Sequence, residues 1–355
     1  MPGPIVVDIA GAQLREPDRQ RLSHPLVGMV ILFSRNFESS AQLRELCDEI
    51  HALREPPLLI GVDHEGGRVQ RFRRSFTHIP PMAHFGQLWD QDVLQACRAA
   101  LAAGYILGAE LRAHGVDLTF APVLDLDWGR SAVIGDRALH ADARVVTVLA
   151  NQVGYGLALA GMSNCGKHFP GHGWAQADSH YALPVDERPI DQILQADAAP
   201  YGWLGVGLDA VMLAHVVYPA VDPSPAGFST RWIQEILRKG FRFTGAVFSD
   251  DLSMQGARAA GDVVQAARAA LAAGCDFAMV CNDEAAADRV LDQLQWTPTS
   301  QFGKRFARLI PRADAPAVGS LLQSDRYLCA LRDLSSGTEP AARTAGLGPS
   351  ESRQS

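Results

Sequence analysis

The stretch Val27-Gly-Met-Val-Ile-Leu-Phe33 decides the fold, because it is short, apolar and rich in β-branched residues, which is typical of a buried strand. Seven similar runs occur, and alanine- and leucine-rich stretches of helical periodicity separate them. They lie at residues 5–10, 58–62, 118–124, 165–169, 210–214, 246–248 and 277–281. Eight strand–helix units predict an α/β fold, a single (β/α)8 (TIM) barrel. A doubly wound open sheet is the rival architecture.

The chain beyond the eighth run divides into two regions. Residues 301–332 have the pattern of one or two C-terminal helices. Beyond about Ser335 the sequence is rich in Ser, Gly, Thr, Pro, Arg and Glu, and such a segment cannot bury enough apolar surface to offset the entropy of ordering it. We therefore expect one barrel domain over residues 1–332 and a disordered polar tail over residues 333–355.

Composition and charge exclude several classes of protein. The chain has 355 residues, of which 47% are hydrophobic and 20% charged, as in a folded domain. A net charge of −7, with basic residues scattered among acidic ones, argues against a nucleic-acid surface. The six cysteines include no Cys-x-x-Cys pair, which favours free thiols in a reducing compartment.

The first residues and the hydropathy bear on location. Residues 1–8, Met-Pro-Gly-Pro-Ile-Val-Val-Asp, lack the basic segment and long apolar stretch of a signal peptide. No uninterrupted apolar run approaches the roughly 18 residues that a membrane span needs. We expect a soluble, cytoplasmic, monomeric protein that binds neither membrane nor nucleic acid.

Polar side chains lie at the carboxyl ends of the strand-like runs, except in the first run, where Asp8 lies inside it. They are Asp8, Ser34-Arg35-Asn36, Asp63-His64-Glu65, Asp125, Lys167-His168, His215, Asp250-Asp251 and Asn282. The carboxyl ends of parallel barrel strands meet at one rim, where barrel enzymes place their active sites. The pattern therefore favours an enzyme over a scaffold without a site.

The stretch Gly61-Val-Asp-His-Glu-Gly-Gly-Arg-Val-Gln-Arg-Phe72 breaks from a strand into a glycine pair and a basic patch. Glycines allow the backbone to approach a ligand closely. Asp63 and Arg71 are candidates to bracket adjacent hydroxyls of a neutral polyol. A turn with a surface salt bridge is the alternative interpretation.

A second stretch, Lys167-His-Phe-Pro-Gly-His-Gly173, precedes Asp178-Ser-His180 in a loop rich in glycine. Its histidines raise the possibility of a zinc site. However, Pro170 and Gly171 prevent a helical pair of histidines on one face, and no cysteine supplements them. We favour the interpretation that Asp178 orients His180 and stabilises its charge.

In Gly245-Ala-Val-Phe-Ser-Asp-Asp-Leu-Ser-Met254, an apolar strand ends in two acids. A carboxylate fixed at a strand end can attack an electrophilic sugar carbon and form a covalent intermediate. Capping of the next helix is the alternative role. Capping accounts for Asp251 or Ser253 but does not explain both acids.

Taken together, these stretches resemble the family 3 glycoside hydrolases, specifically the single-domain bacterial β-N-acetylglucosaminidases of peptidoglycan recycling. The resemblance covers about residues 4–300 and includes Ile134-Gly-Asp-Arg137. It implies that Asp250 is the nucleophile, that His180 is the acid/base on a mobile loop, and that Asp178 is its partner. The residues that match those holding the N-acetylglucosamine (GlcNAc) unit are Asp63, Arg71, Arg137, Lys167 and His168.

The implied activity is retaining, exo-acting removal of terminal GlcNAc from GlcNAc-β-1,4-(1,6-anhydro)MurNAc muropeptides, with no cofactor and no metal. One departure is visible: Trp174-Ala175 follow Gly-His-Gly, where many relatives have Asp-Thr. It bears on loop mobility and leaving-group contacts. Three alternatives stay open, namely a β-N-acetylglucosaminide phosphorylase, a β-glucosidase of the same superfamily and a sugar-binding protein without catalysis.

Overall fold

The computed structural model describes residues 2–176 and 183–336, and its centre is an eight-stranded parallel sheet. We number these strands β1 (Ile5–Val7), β2 (Val27–Leu32), β3 (Leu59–Val62), β4 (Leu118–Thr119), β5 (Cys165–Phe169), β6 (Ala210–Leu213), β7 (Ala246–Asp251) and β8 (Phe277–Val280). Neighbouring strands pair in the order β4-β3-β2-β1-β8-β7-β6-β5, so every strand pairs with the next in chain order except β4 with β5, and β8 pairs with β1. This order confirms the predicted barrel and excludes a doubly wound sheet, whose strand order reverses at its centre.

The barrel closes between β4 and β5 through scattered contacts rather than a continuous ladder. Bridges join Leu118 to Ser163 and Val123 to Lys167, and the Cys165 N–H donates to the Ala121 carbonyl at 2.8 Å. The predicted run 118–124 is regular strand only over Leu118–Thr119, because Pro122 has no N–H to give to a ladder.

Helices surround the barrel. The α-helices are α1 (Glu16–Leu22), α2 (Ser40–Ala52), α3 (Met82–Trp89), α4 (Val93–Ala113), α5 (Ala143–Leu159), α6 (Ile190–Gln195), α7 (Ala199–Leu204), α8 (Val263–Ala273), α9 (Glu284–Gln293), α10 (Ser300–Leu309), α11 (Val318–Leu322) and α12 (Asp325–Ser336). A π-helix, Arg231–Gly240, connects β6 to β7. The short 3₁₀ turns are Ser34–Asn36, Gly135–Arg137, Gly205–Gly207, Ala226–Phe228 and Gln255–Ala260. Two hairpins stand outside the barrel, His64–Gly66 with Val69–Gln70 and Val217–Tyr218 with Asp222–Pro225.

The apolar core has two layers. Alternate strand residues point outward and pack under the helices, while the others fill the barrel interior. In the interior the rings of Phe248 and Phe277 stack with centroids 4.5 Å apart, and Phe302 from α10 packs 5.3 Å from Phe277. Helix α10 therefore closes the amino-terminal mouth of the barrel, which leaves the carboxyl rim for a site.

Three helices, α10, α11 and α12, follow β8 and α9, where one or two were predicted over residues 301–332. Pro311 and Pro316 lie between α10 and α11, and proline cannot continue a helix. Within the described ranges, no helix has both the length and the apolar character needed to cross a membrane. The tail was predicted to begin at residue 333, but α12 continues to Ser336, so that boundary is wrong by four residues. From residue 337 onward the chain lies outside the described residues, and its disorder stays a prediction.

Candidate active site

A cavity of about 390 Å³ opens at the carboxyl rim of the barrel. Six of the predicted site residues line it: Asp63, Arg71, Arg137, Lys167, His168 and Asp250. Apolar side chains complete the wall, chiefly Ile31, Phe33, Met212, Met254 and Met279. This combination of apolar walls and convergent polar groups is typical of a pocket for a small molecule.

The floor of the cavity is a buried cluster of charges around Lys167. Its Nζ lies 2.6 Å from Asp63 Oδ1 and 2.6 Å from Glu65 Oε1. Burial on its own lowers the pKa of Lys167, but the two carboxylates outweigh burial and hold the pKa above its usual value. Lys167 is therefore a fixed cation, suited to hold a sugar oxygen rather than to exchange protons.

Arg137 joins this cluster from the 3₁₀ turn Gly135–Arg137. Its Nε and Nη2 donate to the two oxygens of Glu65, each at 2.8 Å. Burial alone raises the pKa of Glu65, but Arg137 and Lys167 reverse the effect and hold it well below the usual range. Glu65 is consequently an ionised counter-charge that fixes two cations at the cavity.

His168, the neighbour of Lys167 on β5, is oriented by a buried carboxylate. Its Nδ1 lies 2.7 Å from Asp125 Oδ2, and Asp125 also accepts the backbone N–H of His172 at 2.7 Å. Asp125 is fully shielded from solvent. Burial raises the pKa of Asp125, but the nearby imidazoles outweigh it and the pKa is lowered. Because Asp125 is ionised, it accepts a hydrogen bond from Nδ1–H of His168 and so favours that tautomer. Nε2 of His168 then lies on the side of the ring away from Asp125.

Asp250 lies near the end of β7 and lines the cavity. Burial alone would raise its pKa, but the imidazoles of His215 and His168 and the N–H of Asp251 lower it below the usual value. That N–H donates to Asp250 Oδ1 at 2.8 Å. Asp250 is therefore a partly buried carboxylate that stays ionised at neutral pH, which a nucleophile requires.

The adjacent acid, Asp251, has a different environment. It accepts the Ser253 N–H at 3.0 Å, the Ser253 hydroxyl at 2.8 Å and the Cys281 N–H of the next strand at 3.0 Å. Burial raises its pKa to about 6. Its acceptors are committed to the turn after β7 and to β8, whereas the N-cap of the next α-helix, α8, is Asp262. Asp251 therefore stabilises the turn and the neighbouring strand and does not cap α8.

The predicted acid/base pair, Asp178 and His180, lies outside the described residues. The described chain before that gap ends at Gln176, which lines the cavity, and His172 lines it as well. Over residues 2–176 and 183–336, no group of three His, Cys, Asp or Glu side chains is arranged to hold a metal.

Trp174, the departure noted in the sequence, packs in an aromatic and cationic stack. The Arg130 guanidinium lies 4.0 Å from its ring centroid and that of Arg188 lies 4.4 Å from it, while Trp128 meets it edge-on at 5.3 Å. Arg188 is in turn paired with Asp197 at 2.8 Å. The stack anchors the end of the described chain before residue 177.

Sequence reasoning missed the structural part played by Glu65. Glu65 lies in the same stretch, residues 61–72, as the predicted site residues Asp63 and Arg71. The available signal was charge balance: the three basic site residues need more buried negative charge than Asp63 alone supplies.

The glycine pair also has a different role from the one predicted. Gly66 and Gly67 have φ of 104° and 53°, and a Cβ on either would lie 2.8 Å from backbone atoms of Pro80 or Pro81. The pair serves packing within the chain rather than approach to a ligand.

Comparison with known proteins places this site in a family. The model of the glycosyl hydrolase family 3 N-terminal domain matches residues 6–311. A β-hexosaminidase of Bordetella avium is 57% identical over 333 residues, which are 93% of this chain and 95% of that protein.

Solved structures agree with the sequence match. The chain is similar to NagZ from Neisseria gonorrhoeae, solved in complex with N-trifluoroacetyl-D-glucosamine, with a TM-score of 0.90 and 45% identity over 96% of this chain and 99% of that one. It is also similar to a family 3 β-N-acetylglucosaminidase from a Paenibacillus species, with a TM-score of 0.76 and 30% identity over 97% of this chain and 63% of that one.

Proposed function

Since the chain belongs to glycosyl hydrolase family 3 and is a β-hexosaminidase, a retaining glycoside hydrolase, we propose that it removes terminal β-linked GlcNAc with Asp250 as the nucleophile. The observation that carries this proposal is the position of Asp250 in the wall of the cavity, next to the cations that bind the sugar. The known β-hexosaminidase relatives and the glucosamine derivative bound to the Neisseria protein support GlcNAc as the sugar.

The cavity geometry supports binding of one sugar unit. The buried Lys167 and the half-buried Asp63 form a donor–acceptor pair 2.6 Å apart, and Arg71 lies 3.6 Å from the second oxygen of Asp63. Paired donors and acceptors of this kind suit adjacent hydroxyls of a neutral sugar. A cavity of about 390 Å³ is near the small end of ligand pockets, as an exo-acting enzyme requires.

In the proposed first step, Asp250 attacks the anomeric carbon, the bond to the leaving oxygen breaks, and His180 gives that oxygen its proton. Water then attacks the glycosyl-enzyme while His180 takes its proton, so that configuration is retained. An imidazole titrates near neutral pH without help from burial, which suits both roles. Asp178 is proposed to hold its tautomer. Gln176 lines the cavity only four residues before His180, which supports delivery of this histidine from the loop.

We also propose a GlcNAc-β-1,4-(1,6-anhydro)MurNAc muropeptide as the substrate and the cytoplasm as the location. The resemblance to enzymes of peptidoglycan recycling supports both. The cysteines add support for a reducing compartment, because all six are free and four of them are buried.

The test is an assay with GlcNAc-β-1,4-(1,6-anhydro)MurNAc, with and without a stem peptide, against an aryl β-glucoside. The proposal expects hydrolysis of the GlcNAc substrates with at least about a hundredfold preference in kcat/KM over the glucoside, because a site built for a polar substituent rejects analogues that lack it. Equal rates on both, or a sugar phosphate as the main product in phosphate buffer, would contradict it.

A further inference from the structure

Residues 71–81 connect the first hairpin to α3 and place Arg71 in the cavity wall. The side chain of Gln70 holds this segment through hydrogen bonds to its backbone. The Gln70 amide donates to the Thr77 carbonyl at 2.8 Å and to the Phe72 carbonyl at 3.2 Å, and it accepts the Ile79 N–H at 3.0 Å. Gln70 is 3% exposed. Its side chain therefore fixes the shape of the segment from within.

A second tie comes from outside the barrel. Glu110 on α4 accepts the Thr77 N–H at 3.0 Å and the Thr77 hydroxyl at 2.6 Å, and it also accepts the hydroxyl of Tyr327 on α12. Glu110 and Tyr327 are both buried. Hydrogen bonds to a carboxylate are stronger than neutral ones, so the C-terminal helix is coupled through one acid to the segment that carries Arg71.

Arg71 needs such support, because its own hydrogen bonds do not fix it. Its Nη2 lies 3.6 Å from Asp63, and its Nε is buried without a partner among the described residues. The guanidinium thus keeps donors available in the cavity. Its position depends instead on the backbone on either side of it, at Gln70 and Phe72, and Phe72 is completely buried.

We propose that Glu110, together with Tyr327, is a positioning residue for sugar binding: it holds residues 71–81 so that Arg71 meets the glycone. Helix α12 then belongs to the substrate-binding apparatus although it packs on the outside of α4. The inference rests on the proposed binding role of Arg71. A small displacement of a binding group costs up to about a hundredfold in rate, so loosening this tie should weaken binding measurably.

The experiment compares KM and kcat on an aryl β-GlcNAc for Glu110→Gln, Arg71→Lys and the double variant. With its carbonyl in place of Oε1, Gln still accepts the hydroxyls of Thr77 and Tyr327, but its amide N–H then faces the Thr77 N–H that Glu110 Oε2 accepts at 3.0 Å. We expect Glu110→Gln to raise KM about tenfold with little change in kcat. The double variant should have the KM of Arg71→Lys alone, because Glu110 acts through Arg71. Tyr327→Phe, a milder change, should raise KM in the same direction and replaces Glu110→Gln if that variant does not fold.

Asp117→Asn is the matched control. It removes the partner of Arg112, which lies on α4 as well, with an Nη1–Oδ1 distance of 3.1 Å, and should lower stability without changing KM. Independent, multiplying effects of Glu110→Gln and Arg71→Lys on KM would overturn the inference while leaving the role of Arg71 intact. An unchanged KM in Arg71→Lys would overturn the role of Arg71 and the inference with it.

Discussion

Lys167 Nζ lies 2.6 Å from Glu65 Oε1 in the wall of the rim cavity, and both side chains are 2% exposed. Glu65 also holds Arg137 through two hydrogen bonds of 2.8 Å. One carboxylate thus compensates the buried Lys167 and the largely buried Arg137, whose side chain is 12% exposed, and Asp63 supplies a further negative charge at 2.6 Å from Lys167. The binding site and the stability of the barrel rim depend on the same ion cluster.

Replacement of Glu65 by Gln should therefore destabilise the fold strongly. It leaves the buried Lys167 and the largely buried Arg137 as neighbouring cations without their shared counter-charge, a loss on the order of 3–5 kcal/mol. The measurement is the free energy of unfolding in denaturant. Asp136→Asn is the control, because Asp136 pairs with Arg68 at 3.1 Å where both side chains are 48% exposed, and such a surface pair contributes at most about 1 kcal/mol. Equal losses in the two variants would refute the role of Glu65.

The stability of the protein should depend on pH through His64. Burial, and secondly the charges of Arg71 and Arg73, lower the pKa of His64 to about 3. The unfolded chain takes up a proton on this residue below about pH 6.5 and the folded chain does not. The contribution of neutral His64 to the free energy of unfolding is therefore fully present above pH 6.5. It is lost as the pH falls from 6.5 toward 3, by up to about 1.4 kcal/mol per pH unit.

His64→Phe should remove this slope, and its stability should decline less between pH 6.5 and 4 than that of the unchanged protein. The control is Phe72→Leu, which perturbs the same aromatic cluster, since the Phe72 and His64 rings lie 5.6 Å apart. It should lower the free energy of unfolding by a similar amount at every pH. Parallel pH profiles for His64→Phe and the unchanged protein would show that His64 is not the titrating group.

The Trp174 stack predicts a loss of stability rather than a change in chemistry. Trp174→Ala removes the ring that lies against Arg130 and Arg188 and leaves a gap beside Trp128. We expect a loss of about 2–4 kcal/mol in the free energy of unfolding, from lost burial and two cation–π contacts. Trp203→Ala is the control, because that ring is 56% exposed and its removal should cost under about 1 kcal/mol. A similar loss in both would contradict the packing account.

The sequence was sufficient to predict the barrel and the six site residues that line its cavity. Strand positions followed from short apolar runs, and the rim followed from the polar residue after each run. The same reasoning could not separate Asp250 from Asp251 by contacts, because the distinction depends on the Cys281 N–H, which only strand pairing brings within reach. The tie from Glu110 to Thr77 joins residues 33 positions apart, and no periodicity reveals it.

Local geometry also set limits on prediction. The apolar run 118–124 predicts one strand, but the regular strand covers only Leu118–Thr119, and Pro122 interrupts the ladder. The glycine pair was assigned to ligand approach, whereas its positive φ angles and the close backbone of Pro80 and Pro81 show a packing constraint. These differences arise from tertiary neighbours, and they leave the predicted fold and rim unchanged.

The central claim, that Asp250 is the covalent nucleophile, is tested most directly by trapping the glycosyl-enzyme. In His180→Ala, an activated aryl β-GlcNAc still has a good leaving group, so the first step proceeds, but the base for hydrolysis of the intermediate is missing. Rapid acid quench followed by peptide mass spectrometry should find one GlcNAc residue attached to Asp250. Asp250→Asn in the same background should give no adduct, whereas an adduct on another residue, or none on Asp250 during turnover, would contradict the account.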